Sequence, residues 1–336
     1  MKWILTAPYP CMKQLDNDFW TLVRDKDKSL DFILSPANYS HDGSRYQSSI
    51  KDWKDYWLHA TDAWTKAQEN EAGIITEFPQ LPVCAGIRKR LSMKSTPIVA
   101  WTFNLGALHG KHKKLLARSA LKSINKFIVH SSAEIINYSQ YLNLPASRFE
   151  FVPLHKPIMV PTATENNDAP FILAMGSANR DYAILLKAIK TLKYPLTIVA
   201  SPHALSGLDI PTFVTVKSNL SLQECRTLVQ KARINIVPID NESTASGQVT
   251  VIEAMMYKKA VIATDTIGTR DYIINGQTGF LVRPRSEKAL ADSIELLWSN
   301  EKLRSEVASN AQEYVKTELN HQKATAHLIQ ILNATA

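Results

Sequence analysis

Residues 235–256 read NIVPIDNESTASGQVTVIEAMM, and the fold is decided here. The β-branched run Ile234–Ile239 has the length of a buried strand, and Pro238 stands where such a strand ends. A polar loop follows, and from Gly247 the residues are helix formers with an apolar surface. Ser246 is placed to cap that helix, leaving the amides of Gly247, Gln248, Val249 and Thr250 without intrahelical acceptors. A helix start at a strand's carboxyl end, with a glycine that lets backbone come close, is suited to a diphosphate. Glu253 lies about a turn and a half into the helix. Burying a carboxylate there is costly unless it meets hydroxyls or a cation, so either a pair of sugar hydroxyls or a neighbouring Arg is its expected partner.

The same strand–loop–helix rhythm extends in both directions. Strand candidates are residues 3–6, 30–34, 73–77, 97–101, 126–131 and 149–153, then 171–175, 196–200, 213–216, 234–239, 260–264 and 279–282. Helix-like segments fill the intervals, the pattern of parallel strands with crossover helices. The stretch 158–170 is rich in turn and linker residues, so the expected organisation is an α/β chain of two doubly wound, Rossmann-like domains, 1–157 and 171–318, facing across a cleft. Helices near 289–298 and 320–332 close the chain, and residues 319–336 are expected to return to the first domain. No Gly-x-Gly-x-x-Gly follows any strand, which argues against a nicotinamide cofactor.

Several ordered motifs carry a resemblance. Gly176 ends the first strand of the second half, Pro238 ends a later one, Glu253-Ala254-Met255 lies on the helix, Ala260–Thr264 follows, and Gly276-Gln277-Thr278-Gly279-Phe280-Leu281-Val282 closes the set. Over about Phe171 to Trp298 the chain resembles the donor-binding domain of family-four glycosyltransferases, mostly retaining enzymes of GT-B fold that use nucleotide-activated sugars. The resemblance implies that Glu253 binds ribose hydroxyls and that a helix amide cluster with a basic side chain holds the diphosphate. Where the family has a first glutamate, eight positions before Glu253, this chain has Ala245; Glu242 is three residues too early. The usual Arg position is Ser177, and Arg180 is the expected phosphate cation, unless it pairs with Asp181. Gln248 or Thr250 can serve as hydroxyl ligands. In the first half, Thr102 or Asn104 stands where the family often has a histidine; neither is a strong base, so a leaving phosphate oxygen would take the acceptor proton.

Charge is distributed unevenly. The 336 residues carry a formal +8, but residues 1–160 hold 21 Lys and Arg against 14 Asp and Glu, while 161–336 hold 18 against 17. From Phe78 to Ala133 there are ten basic residues and no acidic one. Lys111, Lys114, Arg118, Lys122 and Lys126 recur every three or four positions, opposite Leu116, Ala120, Leu121 and Ile124. Arg88, Lys89 and Arg90 precede them. Such a face is either plainly solvated or a dock for anionic lipid beside a lipid-linked acceptor. It comes with no nucleic-acid-binding motif, so nucleic acid is not an expected partner.

Cys11, Cys84 and Cys225 form no short pair, and no run of residues is long and apolar enough to span a bilayer. Asp16-Asn17-Asp18 resembles a metal motif only superficially, and no metal is expected, since helix amides and a basic side chain suffice to meet a leaving diphosphate. The function expected is a cytoplasmic glycosyltransferase, peripheral on the membrane's inner face. It would move sugar from a nucleotide-sugar donor to a saccharide or lipid-linked acceptor in cell-surface polysaccharide or glycolipid synthesis. Two other readings remain: a non-catalytic GT-B partner subunit, consistent with the altered Ala245, Ser177 and Thr102, and a sugar epimerase, for which no clear acid/base set is present.

Overall fold

The computed structural model describes residues 1–6, 18–39, 49–106 and 110–336. Two units divide it, Met1–Pro153 with His321–Ala336 and Leu154–Asn320, each built on a six-stranded sheet.

In the first unit β1 (Lys2–Thr6), α1 (Asp18–Lys26), β2 (Asp31–Ser35), α2 (Ile50–Glu69), β3 (Gly73–Thr76), α3 (Gln80–Ser92), β4 (Ile98–Ala100), α4 (Lys111–Leu121), β5 (Lys126–Val129), α5 (Ser132–Leu142) and β6 (Phe149–Phe151) alternate along the chain. The strands lie in the order β2-β1-β3-β4-β5-β6, all pairs parallel. A parallel sheet is covered on both faces, which is why its strands are apolar throughout. Alternate residues serve opposite layers. Ile4, Ile74, Ile98 and Phe127 pack with α2, α3 and α5, whereas Trp3, Leu5, Ile75 and Val99 meet Phe19, Trp20 and Val23 of α1. That second layer is completed by α11 (His321–Thr335), whose Ala324, Leu328, Ile331 and Leu332 recur at helical spacing and are buried against it.

The second unit runs β7 (Ile172–Met175), α6 (Tyr182–Leu192), β8 (Leu196–Val199), β9 (Val214–Lys217), α7 (Leu222–Lys231), β10 (Ile234–Val237), α8 (Gln248–Met256), β11 (Ala260–Thr264), β12 (Phe280–Val282), α9 (Glu287–Ser299) and α10 (Glu301–Glu318). Its order is β12-β11-β10-β7-β8-β9, again parallel. The chain steps outward from β7 through β9 and then returns to place β10 on the other side of β7. Loops leaving β7 and β10 therefore diverge at a topological switch point, where open α/β sheets form a crevice.

All twelve expected strands are present, with ends shifted by a residue or two. The basic helix is shorter than its charge period suggests. It ends at Leu121, so Lys122 is its C-cap residue and Lys126 begins β5. Ser123 closes the turn by donating to the Gly86 carbonyl at 2.8 Å, and Asn125 Oδ1 accepts from Ile98 N–H. Nor is Leu116 part of the inner face: it is 71% exposed, beside Leu115 at 67%.

Residues 158–170, read from sequence as a linker, are fastened along the second unit. The amides of Thr162 and Ala163 donate to Gln230 Oε1, and Asn166 N–H donates to Lys231 O. Glu165 accepts from Arg233 Nε at 2.9 Å and from Lys259 Nζ at 3.3 Å. Burial pushes the Glu165 carboxyl up, but the two cations outweigh it and hold it below the ordinary carboxylate range. A group depressed on folding contributes stability above its unfolded pKa and loses it as pH falls through the folded value. Glu165→Gln should thus cost about 2–3 kcal/mol at pH 7. In urea unfolding the gap between variant and wild type should close as the pH is lowered below about 4.

Candidate functional site

The turn from β10 into α8 is set by backbone geometry. Gly247, not Ser246, occupies the N-cap position, at φ +88°, with no side-chain cap. A side chain there would be strained and would meet Ile239 Cδ1 and Val237 Cγ1 at 3.0 Å. Ser246 therefore does not cap the helix; its hydroxyl is buried without a hydrogen-bond partner. The helical ladder starts with Val251 N–H donating to Gly247 O at 3.0 Å, so the amides of Gln248, Val249 and Thr250 precede it. Gln248 is buried, Val249 exposed and Thr250 half-buried.

Arg180 comes to this helix end from the loop after β7. Its Nη2 donates to Thr250 Oγ1 at 3.3 Å, while Nε and Nη1 are anchored on the carbonyls of Met175 and Ala178 at 3.0 and 2.9 Å. The guanidinium lies over Gly176, where a Cβ would come within 2.8 Å of Nη2. Tyr182 donates from its hydroxyl to the Gly176 carbonyl, and Asp181 caps α6 through Ile184 N–H instead of pairing with Arg180. Burial lowers the Arg180 pKa, with Tyr182 and Asp240 opposing it. A half-desolvated guanidinium beside the first-turn amides of a helix is able to hold an anion. Ser177 has another duty: its Oγ accepts from Ser201 N–H at 2.8 Å and ties the β7 loop to the end of β8.

Glu253 is 8% exposed. Its Oε1 accepts from Arg226 Nε of α7 at 2.9 Å, and Oε2 has no hydrogen-bond partner among the described residues. The carboxylate is thus oriented by a cation and keeps one oxygen for a hydroxyl donor. Ala245 is buried, and Glu242 is an exposed residue 3.4 Å from Arg285, so Glu242 does not take the missing glutamate's place. Sequence reasoning missed Arg226 and Gly268. A Cβ on Gly268 would lie 2.3 Å from Ser246 N and 2.4 Å from Ser246 O, so the loop after β11 packs backbone to backbone against the β10–α8 turn. The only sequence signal is a glycine between Ile267 and Thr269, which spacing alone does not mark.

In the first unit Thr102 and Asn104 line a cavity of about 440 Å³ with Glu77, Phe78, Gln80 and Leu105. Thr102 takes φ +54° and Phe78 φ +70°. Asn104 Oδ1 accepts from Gly106 N–H at 2.7 Å. Glu77, which the sequence reading did not select, holds a carboxyl that burial pushes up to about 7.

The basic residues are largely engaged within their own unit. Arg88 lies over Trp57 and Lys114 over Tyr141, at 5.4 and 5.3 Å from the ring centroids. Lys89 donates to Asn125 Oδ1, Arg90 to Ser119 O, Arg118 to Tyr141 O and Lys126 to Ser147 O and Glu150. Lys122 is exposed; the Lys111 side chain and the Asp16-Asn17 pair lie outside the described residues. Among the described side chains of α4, Leu115, Leu116 and Ser119 are exposed and Lys114 and Arg118 half-buried.

Residues 160–314 match the family model for glycosyl transferases group 1. An uncharacterized glycosyltransferase, MJ1178, of Methanocaldococcus jannaschii is 25% identical over 254 residues, 71% of this chain and 68% of its own. The capsular polysaccharide biosynthesis glycosyltransferase CapM of Staphylococcus aureus is 33% identical over 89 residues, 26% of this chain and 23% of CapM. The crystal structure of Anabaena HepE in complex with UDP superposes with a TM-score of 0.69 at 15% identity, covering 99% of this chain and 100% of HepE. The parallel sheets, the switch-point loops and these matches converge: residues 160–314 match the glycosyl transferases group 1 family, and the chain has the GT-B fold.

Proposed function

We propose that the protein transfers a hexose from a nucleotide-sugar donor, with retention, to a hydroxyl of a saccharide or lipid-linked acceptor in cell-surface polysaccharide or glycolipid synthesis. The observation that carries this reading is the Arg180 guanidinium at the open end of α8, on Thr250 Oγ1. The amides of Gln248, Val249 and Thr250 and the dipole of α8 would meet the charge developing on the leaving diphosphate, the term that dominates such reactions. No step here calls for a metal. Glu253, oriented by Arg226, would receive the ribose hydroxyls on Oε2. With Thr102 and Asn104 both weak bases, the departing phosphate oxygen would take the acceptor proton. HepE binds UDP and CapM acts in capsule synthesis, which makes a uridine donor and a polysaccharide product the first to try.

Ala245 favours a second reading, a non-catalytic nucleotide-binding partner, because the residue usually beside the donor sugar is a buried methyl group. Release of free sugar or transfer by the purified protein alone excludes it.

A membrane partner is part of the proposal, on the cytoplasmic side. No helix among the described residues is long and apolar enough to cross a bilayer. Leu91 and Met93 at the end of α3 are 70% and 92% exposed, and Arg90 links that end to Ser119 of α4, the helix that exposes Leu115 and Leu116. Exposed apolar side chains, with the exposed Lys94 next to Met93, suit shallow insertion into anionic lipid.

UDP and UDP-glucose should raise the melting temperature of the wild type. Arg180→Ala should weaken UDP binding about tenfold or more, the scale of one charge-assisted hydrogen bond. Glu253→Gln should weaken uridine binding and leave pyrophosphate binding intact; unchanged donor binding in both variants overturns the site, and turnover abolished by EDTA overturns the metal-free step. Sedimentation with phosphatidylglycerol vesicles should be stronger than with phosphatidylcholine, fall with salt, and be lost in a Leu115→Asp, Leu116→Asp double variant. Equal binding to both lipids overturns the membrane partner.

A further inference from the structure

The first unit repeats the switch-point logic of the second. β3 lies beside β1 on the side away from β2, so loops leaving β1 and β3 diverge. Glu77 sits at that point, one residue past β3, its amide donating to Thr6 O at 3.1 Å. Its carboxylate makes no hydrogen bond or ion pair among the described residues, yet it faces the 440 Å³ cavity and is half-buried. Such a group is costly in the empty protein. It needs a proton, a cation or a set of hydroxyl donors.

The cavity's other residues narrow that choice. The Thr102 hydroxyl is likewise without a hydrogen-bond partner among the described residues. Phe78, Pro79 and Leu105 supply apolar wall. Two side-chain-bearing residues, Phe78 and Thr102, hold positive φ at its rim, conformations that cost free energy and gather at functional sites. Its volume lies in the range that small ligands fill. A carboxylate repels phosphate, so the site differs in kind from the one at α8. Among the described residues the groups facing Glu77 are uncharged: Thr6 of β1, Thr102 and Asn104 beyond β4, and Gln80 opening α3. Arg88 is two turns along α3, on Trp57.

We propose that this cavity binds a neutral saccharide ring, with the Glu77 carboxylate accepting the hydrogen bonds of two neighbouring hydroxyls and Thr102 contacting a third. The proposal rests on the glycosyltransferase reading and assigns its acceptor subsite. A carboxylate is acceptor-only when ionised, so it pairs with a vicinal diol through both oxygens. Hydroxyl donors favour the ionised form. With burial holding the free group up at about 7, binding must expel a proton at lower pH, and affinity rises as pH passes through 7.

The test uses the full-length protein and methyl glycosides of glucose, galactose, mannose and N-acetylglucosamine, titrated by saturation-transfer NMR at pH 6 and pH 8. At least one should bind, about tenfold more tightly at pH 8, because a group titrating near 7 goes from about one-tenth to about nine-tenths ionised. Glu77→Gln should weaken binding and flatten the pH dependence, while Glu77→Asp keeps the slope. Binding of none of the four, a profile that is flat or falls with pH in the wild type, or, with methyl glucosaminide as a cationic control, binding of that control alone overturns the proposal. UDP thermal shift on the same samples separates the two failures. If UDP is bound normally and the glycosides fail, the subsite is wrong; if UDP fails too, the glycosyltransferase reading falls with it.

Discussion

The second unit depends on a contact made by two stretches of bare backbone. Gly268 lies so close to Ser246 that a single methyl group would occupy the space of the Ser246 amide and carbonyl. That approach fixes the chain direction into Gly247, whose left-handed conformation launches α8. From the axis of α8 follow the direction of its first-turn amides, the height at which Thr250 meets Arg180, and the inward turn of Glu253 toward Arg226. Each of these side chains has its own partner. None of them sets the geometry, which belongs to the steric fit between two loops.

The architecture was legible because a parallel sheet buried on both faces must spell its strands as unbroken apolar runs. Asn235–Met256 carries the further signal of a strand ending at Pro238 and a helix opening on glycine. What the chain did not reveal is how polar groups choose among partners. Ser246 has the composition of an N-cap, yet the turn at Gly247 leaves its hydroxyl buried and unbonded among the described residues. Charges at helical spacing suggested one long basic face, but Lys126 belongs to a strand and Lys114 and Arg118 turn toward Tyr141. Glu77 was passed over because one carboxylate after a strand looks like any surface acid. Only its described neighbours, all uncharged, make it unusual.

The two units share a topology and arm it with opposite chemistry. At the β7–β10 switch point the chain collects a guanidinium and helix amides, the equipment for an anion. At the β1–β3 switch point it leaves a carboxylate without a counter-ion among the described residues. On the proposed reading, charge sign alone sorts a diphosphate from an uncharged polyol before shape is consulted. This also accounts for the uneven composition, since the excess Lys and Arg of the first half are spent bracing helices and loops rather than lining its cavity.

The helix α11 closes the layer containing Trp3, Trp20 and Val23, and Asn333 reaches Asp27 across 306 positions of sequence. On the ribosome this order matters. The second unit, contiguous in the chain, has all its residues available before α11 has emerged, while one face of the first-made sheet stays without its cover. Residues 1–153 thus belong to a core whose closing helix is made only after the whole second unit. A nascent chain halted before residue 321 would expose the indoles of Trp3 and Trp20, a surface for chaperones to hold.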